Sequence, residues 1–297
     1  MFWLWWVLIV VVGLVLAYFV IGGIAAITMT KVGEHPQYDK TPESFGVDYH
    51  RVVIYSRRDR LKLSAWYLPN GDPERCVLLV HGRNASKQNA ISGKIVEFGA
   101  ALHEAGFSVL MIDLRGHGES EGERYSFGVY ERRDVLGAVD FLLKQGLNPG
   151  DIGVYGLSMG GGAAIGAAAD EPAIGMLVLD STFADLNPLI EEQWENESGL
   201  PKFFLPGVFL MNRLIYGYDL TAVQPVEEIV EVAPRPILII HCRTDELMSM
   251  WHPQTLIEAV PSAKSSFFDA CEHAEIYREY PNEYQDLVVA FLNENLE

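Results

Sequence analysis

Apolar and polar positions divide the chain into regions with different periods. From Met1 to Thr30 no charged side chain occurs, the first being Lys31. Such a run exceeds the roughly 20 residues a helix needs to cross a bilayer, so residues 1–29 read as one transmembrane anchor. A cleavable signal peptide begins with a basic segment and has a shorter apolar core, whereas this run begins with Phe2, Trp3, Trp5 and Trp6. Their indoles suit the headgroup level. Residues 30–46 include "KVGEHPQYDKTPESFG", a polar stretch with two prolines and no period, which reads as a linker. Alternation then sets in. "VDYHRVVIYS" and "LKLSAWYLP" predict an antiparallel hairpin joined by "RRDR", a turn without the glycine that tight hairpins favour.

Short β-rich runs and helical stretches take over from there. Strands are predicted at "CVLLVHG" (76–82), "FSVLMIDLRGHG" (107–118), "DIGVYG", "MLVLD" (176–180), "PILIIH" (236–241) and "SSFFDA" (265–270). Between and after them lie helical patterns, among them "YERRDVLGAVDFLLKQ", the small-residue run after "DIGVYG" and a final "NEYQDLVVAFLNENL". Strands alternating with helices predict an α/β domain over residues 47–297 with a mostly parallel, doubly wound sheet. In such sheets chemistry gathers at the carboxyl ends of the strands.

That rule sorts the reactive side chains. Ser158 lies just past "DIGVYG" within Gly156-Leu157-Ser158-Met159-Gly160, a GxSxG pattern between a strand and a helix. The flanking glycines suit a strained turn that holds the hydroxyl above the sheet. A serine is a weak nucleophile until a base takes its proton, and the base needs an acid to fix its tautomer. Asp245 lies four residues past "PILIIH", and His273 lies in the loop after "SSFFDA". Asp180, which ends a strand of its own, is a rival acid, while Asp269 reads as too deep in the last strand. His252 is the alternative base. It stands beside a proline at the start of a predicted helix and reads as a surface residue.

The order "HGRNAS", "DLRGHGESEG", "GLSMGG", a long insertion, "HCRTDE" and "CEHAE" resembles the α/β-hydrolase family from about residue 47 to the end. It is most similar to the membrane-anchored bacterial serine-hydrolase branch related to the Bem46 and peptidase S33-like proteins. The resemblance implies an α/β-hydrolase fold with a helical cap insertion at about 183–234. It also implies a nucleophile at Ser158, an acid at Asp245 and a base at His273. For the oxyanion it implies the backbone N–H groups of Met159 and Arg83, with Asn84 as the fallback for the second. His81 and Gly82 then read as architectural. Two departures stand close to the acid: Cys242 replaces a glycine at the end of its strand, and Met248-Ser249 replaces an apolar-proline pair.

Charge and cysteine content narrow the remaining classes. Net charge is −18 with no basic stripe, which excludes a nucleic-acid binder. Cys76, Cys242 and Cys271 are odd in number and widely spaced, so no disulfide framework is read from them, and Cys76 and Cys242 read as inert core thiols. Gly116, Gly118 and Gly122 miss the dinucleotide fingerprint by one position. With no Walker loop, HExxH pair or cysteine-histidine cluster, neither cofactor nor metal is expected.

Within the insertion, "LPKFFLPGVFLMNRLIYGY" is apolar nearly all round a short helix. It packs on the domain's own core, lines an acyl pocket or touches the membrane. The expected molecule is a membrane-tethered hydrolase of apolar carboxylic esters or thioesters, with a small acylated substrate and no obligate protein partner. An aminopeptidase or amidase, or an inactive binding module of the same fold, is the alternative. Lys31 and Lys40 lean the domain towards the cytoplasmic face.

Overall fold

The computed structural model describes residues 2–33, 36, 38–71 and 74–296. Met1 of the expected anchor and Glu34, His35 and Gln37 of the expected linker lie outside the described residues. The chain divides into two compact units, one of residues Met1–Lys31 and Leu186–Val223, the other of Val32–Asp185 and Gln224–Glu297.

Along the described residues the helices are α1 (Phe2–Met29), α2 (Ile95–Glu104), α3 (Glu131–Lys144), α4 (Met159–Asp170), α5 (Leu186–Ser198), α6 (Leu205–Tyr216), α7 (Pro225–Val232), α8 (Trp251–Ala259), α9 (Ile276–Glu279) and α10 (Pro281–Asn295). The strands are β1 (His50–Tyr55), β2 (Lys62–Leu68), β3 (Cys76–Val80), β4 (Ser108–Ile112), β5 (Ile152–Leu157), β6 (Ile174–Asp180), β7 (Ile237–Cys242) and β8 (Lys264–Phe268).

In the larger unit the eight strands form one sheet in the order β1-β2-β4-β3-β5-β6-β7-β8. β2 runs antiparallel to both neighbours, and the pairs from β4 onward are parallel. The central strands β3, β4 and β5 are buried throughout, which explains their near-continuous apolar sequences: helices cover both faces of a parallel sheet. One face packs Val77, Leu79, Met111, Tyr155 and Ile240 against Phe98 and Leu102 of α2 and Val288 and Leu292 of α10. The turn between β1 and β2 solves its lack of glycine by placing Arg58 and Arg60 at φ 76° and 57°. Asp59 between them is held by Arg115 and Arg133.

α4 lies across the other face and is buried from Met159 to Ala168. Its small residues answer to distance. A Cβ on Gly160 would stand 2.5 Å from the carbonyl oxygens of Val80 and His81, so the helix can approach β3 this closely only without a side chain there.

In the smaller unit α1 packs on α6, with Gly22 against the backbone of Gly207 and Val208. Ile190 and Trp194 of α5 are buried, and the Trp194 indole N–H donates to the Pro201 carbonyl at 3.1 Å. α1 is long and apolar enough to cross a membrane.

Candidate active site

The register of the parallel strands sets the site. Val80 pairs with Gly156, and Leu157 pairs with Asp180, so β3, β5 and β6 end at one level. Ser158 follows β5 at φ 55° and ψ −118°, a left-handed conformation costly for a residue with a Cβ. The turn is fixed on both sides: the Ser158 N–H donates to the Asp180 carbonyl at 2.8 Å, and the Gly161 N–H donates to the Ser158 carbonyl at 2.9 Å. A Cβ on Gly156 would meet Gly161 at 2.6 Å, so the first glycine of the pattern is required by the return of the chain.

The structure brings Ser158, His273 and Asp245 together from the ends of three strands. His273 Nε2 lies 2.9 Å from Ser158 Oγ, and His273 Nδ1 lies 2.7 Å from Asp245 Oδ2. With Asp245 ionised, Nδ1 carries the proton and donates to the carboxylate, leaving Nε2 to accept from the serine hydroxyl. Asp245 Oδ1 accepts the N–H groups of Leu247 and Met248 at 2.9 and 2.8 Å. Burial pushes this carboxyl's pKa up, but the hydrogen bond and charge of His273 and the Met248 N–H outweigh it and hold the pKa below the ordinary carboxylate value. The change to Met248 thus leaves a backbone donor in place.

Met159 is the first residue of α4, where backbone N–H groups have no partner within the helix. The loop after β3 lies against the serine: a Cβ on Gly82 would be 3.1 Å from Ser158 Cβ and 3.6 Å from its Oγ. Arg83 follows directly. The Asn84 N–H donates to His117 Nε2 at 3.2 Å, which commits the fallback donor elsewhere.

Two histidines hold this loop. His81 donates through Nδ1 to the Gly82 carbonyl at 2.8 Å and accepts the Leu114 N–H at Nε2 at 3.0 Å. His117 donates through Nδ1 to the Arg115 carbonyl at 2.8 Å. Below them Lys87 is buried against Asp113, whose carboxylate also accepts the N–H groups of Lys87 and Glu119 at 2.8 and 2.9 Å. Sequence reasoning gave His81 an architectural place but missed His117, Lys87 and Asp113, since their roles arise only when the loops after β3 and β4 meet.

Three readings of individual residues are corrected. Asp180 is a strand-end carboxylate, but it accepts from Tyr284, Ser181 and Tyr155 at 2.6, 2.8 and 3.0 Å. Burial raises its pKa, with these bonds opposing the rise. Asp269, read as deep in its strand, is exposed just past β8 and pairs with Arg243. His252, read as a surface residue, is fully buried: the Ala184 N–H donates to its Nδ1 at 3.2 Å, and burial pushes its pKa down to about 4.

The cysteines are corrected as well. Cys242 and Cys271 form a disulfide, leaving Cys76 as the buried free thiol. The bridge joins the end of β7, three residues before Asp245, to the loop two residues before His273. Thr244 adds to it, its hydroxyl donating to the Cys271 carbonyl at 2.9 Å and accepting the Cys271 N–H at 3.1 Å. No group of three or more His, Cys, Asp or Glu side chains among the described residues is arranged to hold a metal ion.

The sheet order, the turn after β5 and the loops at the strand ends define the class: the chain has the α/β-hydrolase fold. Residues 71–204 match the family described as serine aminopeptidase, S33. Among curated proteins the chain is 25% identical to the uncharacterised protein YqkD of Bacillus subtilis over 236 residues, 78% of this chain and 75% of that one. It is 27% identical to the uncharacterised protein YfhR of Salmonella typhi over 259 residues, 81% of this chain and 80% of that one. Among solved structures, the Pyrococcus furiosus esterase Pf2001 is similar with a TM-score of 0.73 at 25% identity, covering 90% of this chain and 99% of that one. An esterase from Exiguobacterium antarcticum is similar in fold, with a TM-score of 0.59 at 15% identity, covering 81% of this chain and 98% of that one.

Proposed function

We propose that the protein is a serine hydrolase tethered to the membrane by α1, acting on carboxylic esters or thioesters of apolar acyl groups. The observation that carries the reading is the unbroken path from Ser158 Oγ through His273 to Asp245, at 2.9 and 2.7 Å. His273 Nε2 takes the hydroxyl proton as Ser158 Oγ attacks the substrate carbonyl, and Asp245 stabilises the imidazolium. The backbone N–H groups of Met159 and Arg83 receive the developing oxyanion. His273 returns the proton to the leaving group, which departs as the acyl-enzyme forms. Water then attacks the acyl-enzyme, giving a proton to His273, which passes it to Ser158 Oγ as the bond to the acyl carbon breaks and the carboxylic acid leaves. No cofactor takes part.

Two similarities bear on the substrate. The likeness to an enzyme titled an esterase favours esters, and the match to a family described as serine aminopeptidase keeps the peptidase alternative in play. A buried substrate ammonium needs a carboxylate partner. The acidic group Glu191, Glu192 and Glu195 of α5 is exposed, as a solvated face would be. An acyl chain needs only apolar cover, about 0.8 kcal/mol per buried methylene. Catalytic efficiency on p-nitrophenyl esters is therefore expected to rise from acetate to butyrate or hexanoate, with aminoacyl anilides poor substrates. Rapid release from an aminoacyl anilide, with no response to ester chain length, would establish the peptidase instead.

A further inference from the structure

The smaller unit pairs α1 with a helix of the insertion in a way that points beyond anchoring. α6 meets the carboxyl-terminal part of α1. A Cβ on Gly22 would lie 3.0 Å from the Gly207 carbonyl carbon, one on Gly23 would lie 3.3 Å from the Met211 methyl, and one on Gly207 would lie 2.6 Å from the Tyr18 ring. Small residues on both helices let the backbones approach, the means by which helices associate where no hydrophobic drive separates them from lipid. The contact also satisfies its polar groups internally. The Tyr18 hydroxyl donates to the Phe203 carbonyl at 3.1 Å and accepts the Gly207 N–H at 3.0 Å. A phenol and a first-turn N–H that need no water suit a low-dielectric surrounding.

The depth of this contact follows from the helix. At 28 residues α1 is about 42 Å long against a hydrocarbon core of about 30 Å. With Trp3, Trp5 and Trp6 at one headgroup level, about 20 residues of core end near Ala26. Tyr18 to Ala26, where α6 lies, is then the last ~12 Å of core and the boundary beyond it. On α6 and the turn before it, Phe203, Pro206, Leu210 and Leu214 recur at spacings of three and four and form a second, exposed stripe, the Phe203 ring also meeting Tyr18 edge-on. Phe203 is 71% and Leu214 69% exposed. Lys202 and Arg213 flank the stripe; Lys202 is placed for its ammonium to reach lipid phosphates while its stem stays apolar, and Arg213 pairs with Asp219 at 3.5 Å.

We propose that the stripe Phe203–Leu214 is a lipid-binding surface, which lies in the boundary layer of the leaflet that α1 leaves, so that the insertion is seated in the bilayer and not only tethered near it. The inference rests on α1 being a span. Its occupant is the bilayer because the stripe is carried by a helix packed on α1 at membrane depth, and because exposed Lys202 borders its start.

The test uses the full chain in vesicles of phosphatidylcholine and phosphatidylglycerol, with an environment-sensitive fluorophore on a single introduced thiol. Cys76 is buried and the other two cysteines are bridged, so native thiols give no background. Leu14→Cys on α1 reports the span itself, and Leu214→Cys and Phe203→Cys report the stripe. Spin-labelled lipids are expected to quench most of the emission from all three sites, with iodide in the water having little effect. Lipid quenching at 14 with iodide quenching at 203 and 214 would overturn the inference and leave the anchor standing. Protection of 203 and 214 from both quenchers would mean that protein, such as a second copy of the chain, covers the stripe, and would also overturn it. Absence of lipid quenching at 14 would remove the anchor and the inference together.

Discussion

At the scale of single residues the site rests on which side chains are held and by what. Asp245→Asn preserves shape but makes the wrong His273 tautomer favourable, and turnover is expected to fall by about 10⁴. A loss of less than tenfold would mean that Asp245 is not the acid. His252 makes a prediction in pH. Its ordinary pKa of 6.5 is depressed to about 4 by burial. The unfolded chain therefore takes up a proton between these values that the native protein refuses. The contribution is fully favourable above pH 6.5 and declines as pH falls towards 4. Between pH 7.5 and 5 this one residue is expected to remove about 2 kcal/mol of stability. His252→Gln should flatten that part of the thermal-denaturation profile, and an unchanged slope would place the pH dependence elsewhere. Ser158, Asp245 and His273 were legible in the sequence because each follows an apolar run in the expected order. His252 was not, because burial of a polar residue depends on which segment packs over it, here the chain around Ala184.

At the scale of elements the constraints are approach distances and loop ties. Gly160→Ala would drive a methyl into the Val80 and His81 carbonyls. The expected cost is about 1–3 kcal/mol, with reduced turnover because α4 carries Met159 and the turn. A stable and fully active variant would show that α4 can shift without harm. The Cys242–Cys271 bridge closes a loop of sequence separation 29. Replacing both cysteines by serine is expected to lower stability by about 3–4 kcal/mol on the chain-entropy view, read from the denaturant midpoint. Turnover should fall as well, since the bridge ties the loops of Asp245 and His273. An unmoved midpoint would deny the bridge a stabilising role. Each strand was readable from its β-rich run, and the hairpin was readable without a turn glycine. The pairing was not: Cys242 and Cys271 become neighbours only when β7 and β8 lie side by side, which is topology and not spacing.

At the scale of the whole molecule the questions are where the hydrolase domain sits and what α1 does. Ser158, Asp245, His273, Met159 and Arg83 all belong to the larger unit, which carries its own core. A chain beginning at Thr41 is therefore expected to retain hydrolysis of a water-soluble ester. It should still bind vesicles, because removing α1 uncovers Gly207, Val208 and Met211 beside the exposed stripe of α6. Loss of vesicle binding on truncation would mean that α1 alone holds the membrane. On topology, Lys31 and Lys40 lean the domain to the cytoplasmic face, but a disulfide persists on the oxidising side. We expect the bridge to decide, with the domain accessible to protease from outside intact cells. The central claim is that Ser158 is an activated nucleophile, and the most direct measurement is reaction of the full chain with a fluorophosphonate probe. Covalent labelling located at Ser158, absent in Ser158→Ala and nearly absent in His273→Ala, is the predicted result. Equal labelling of the wild type and Ser158→Ala, or no labelling of a folded wild type, would contradict it.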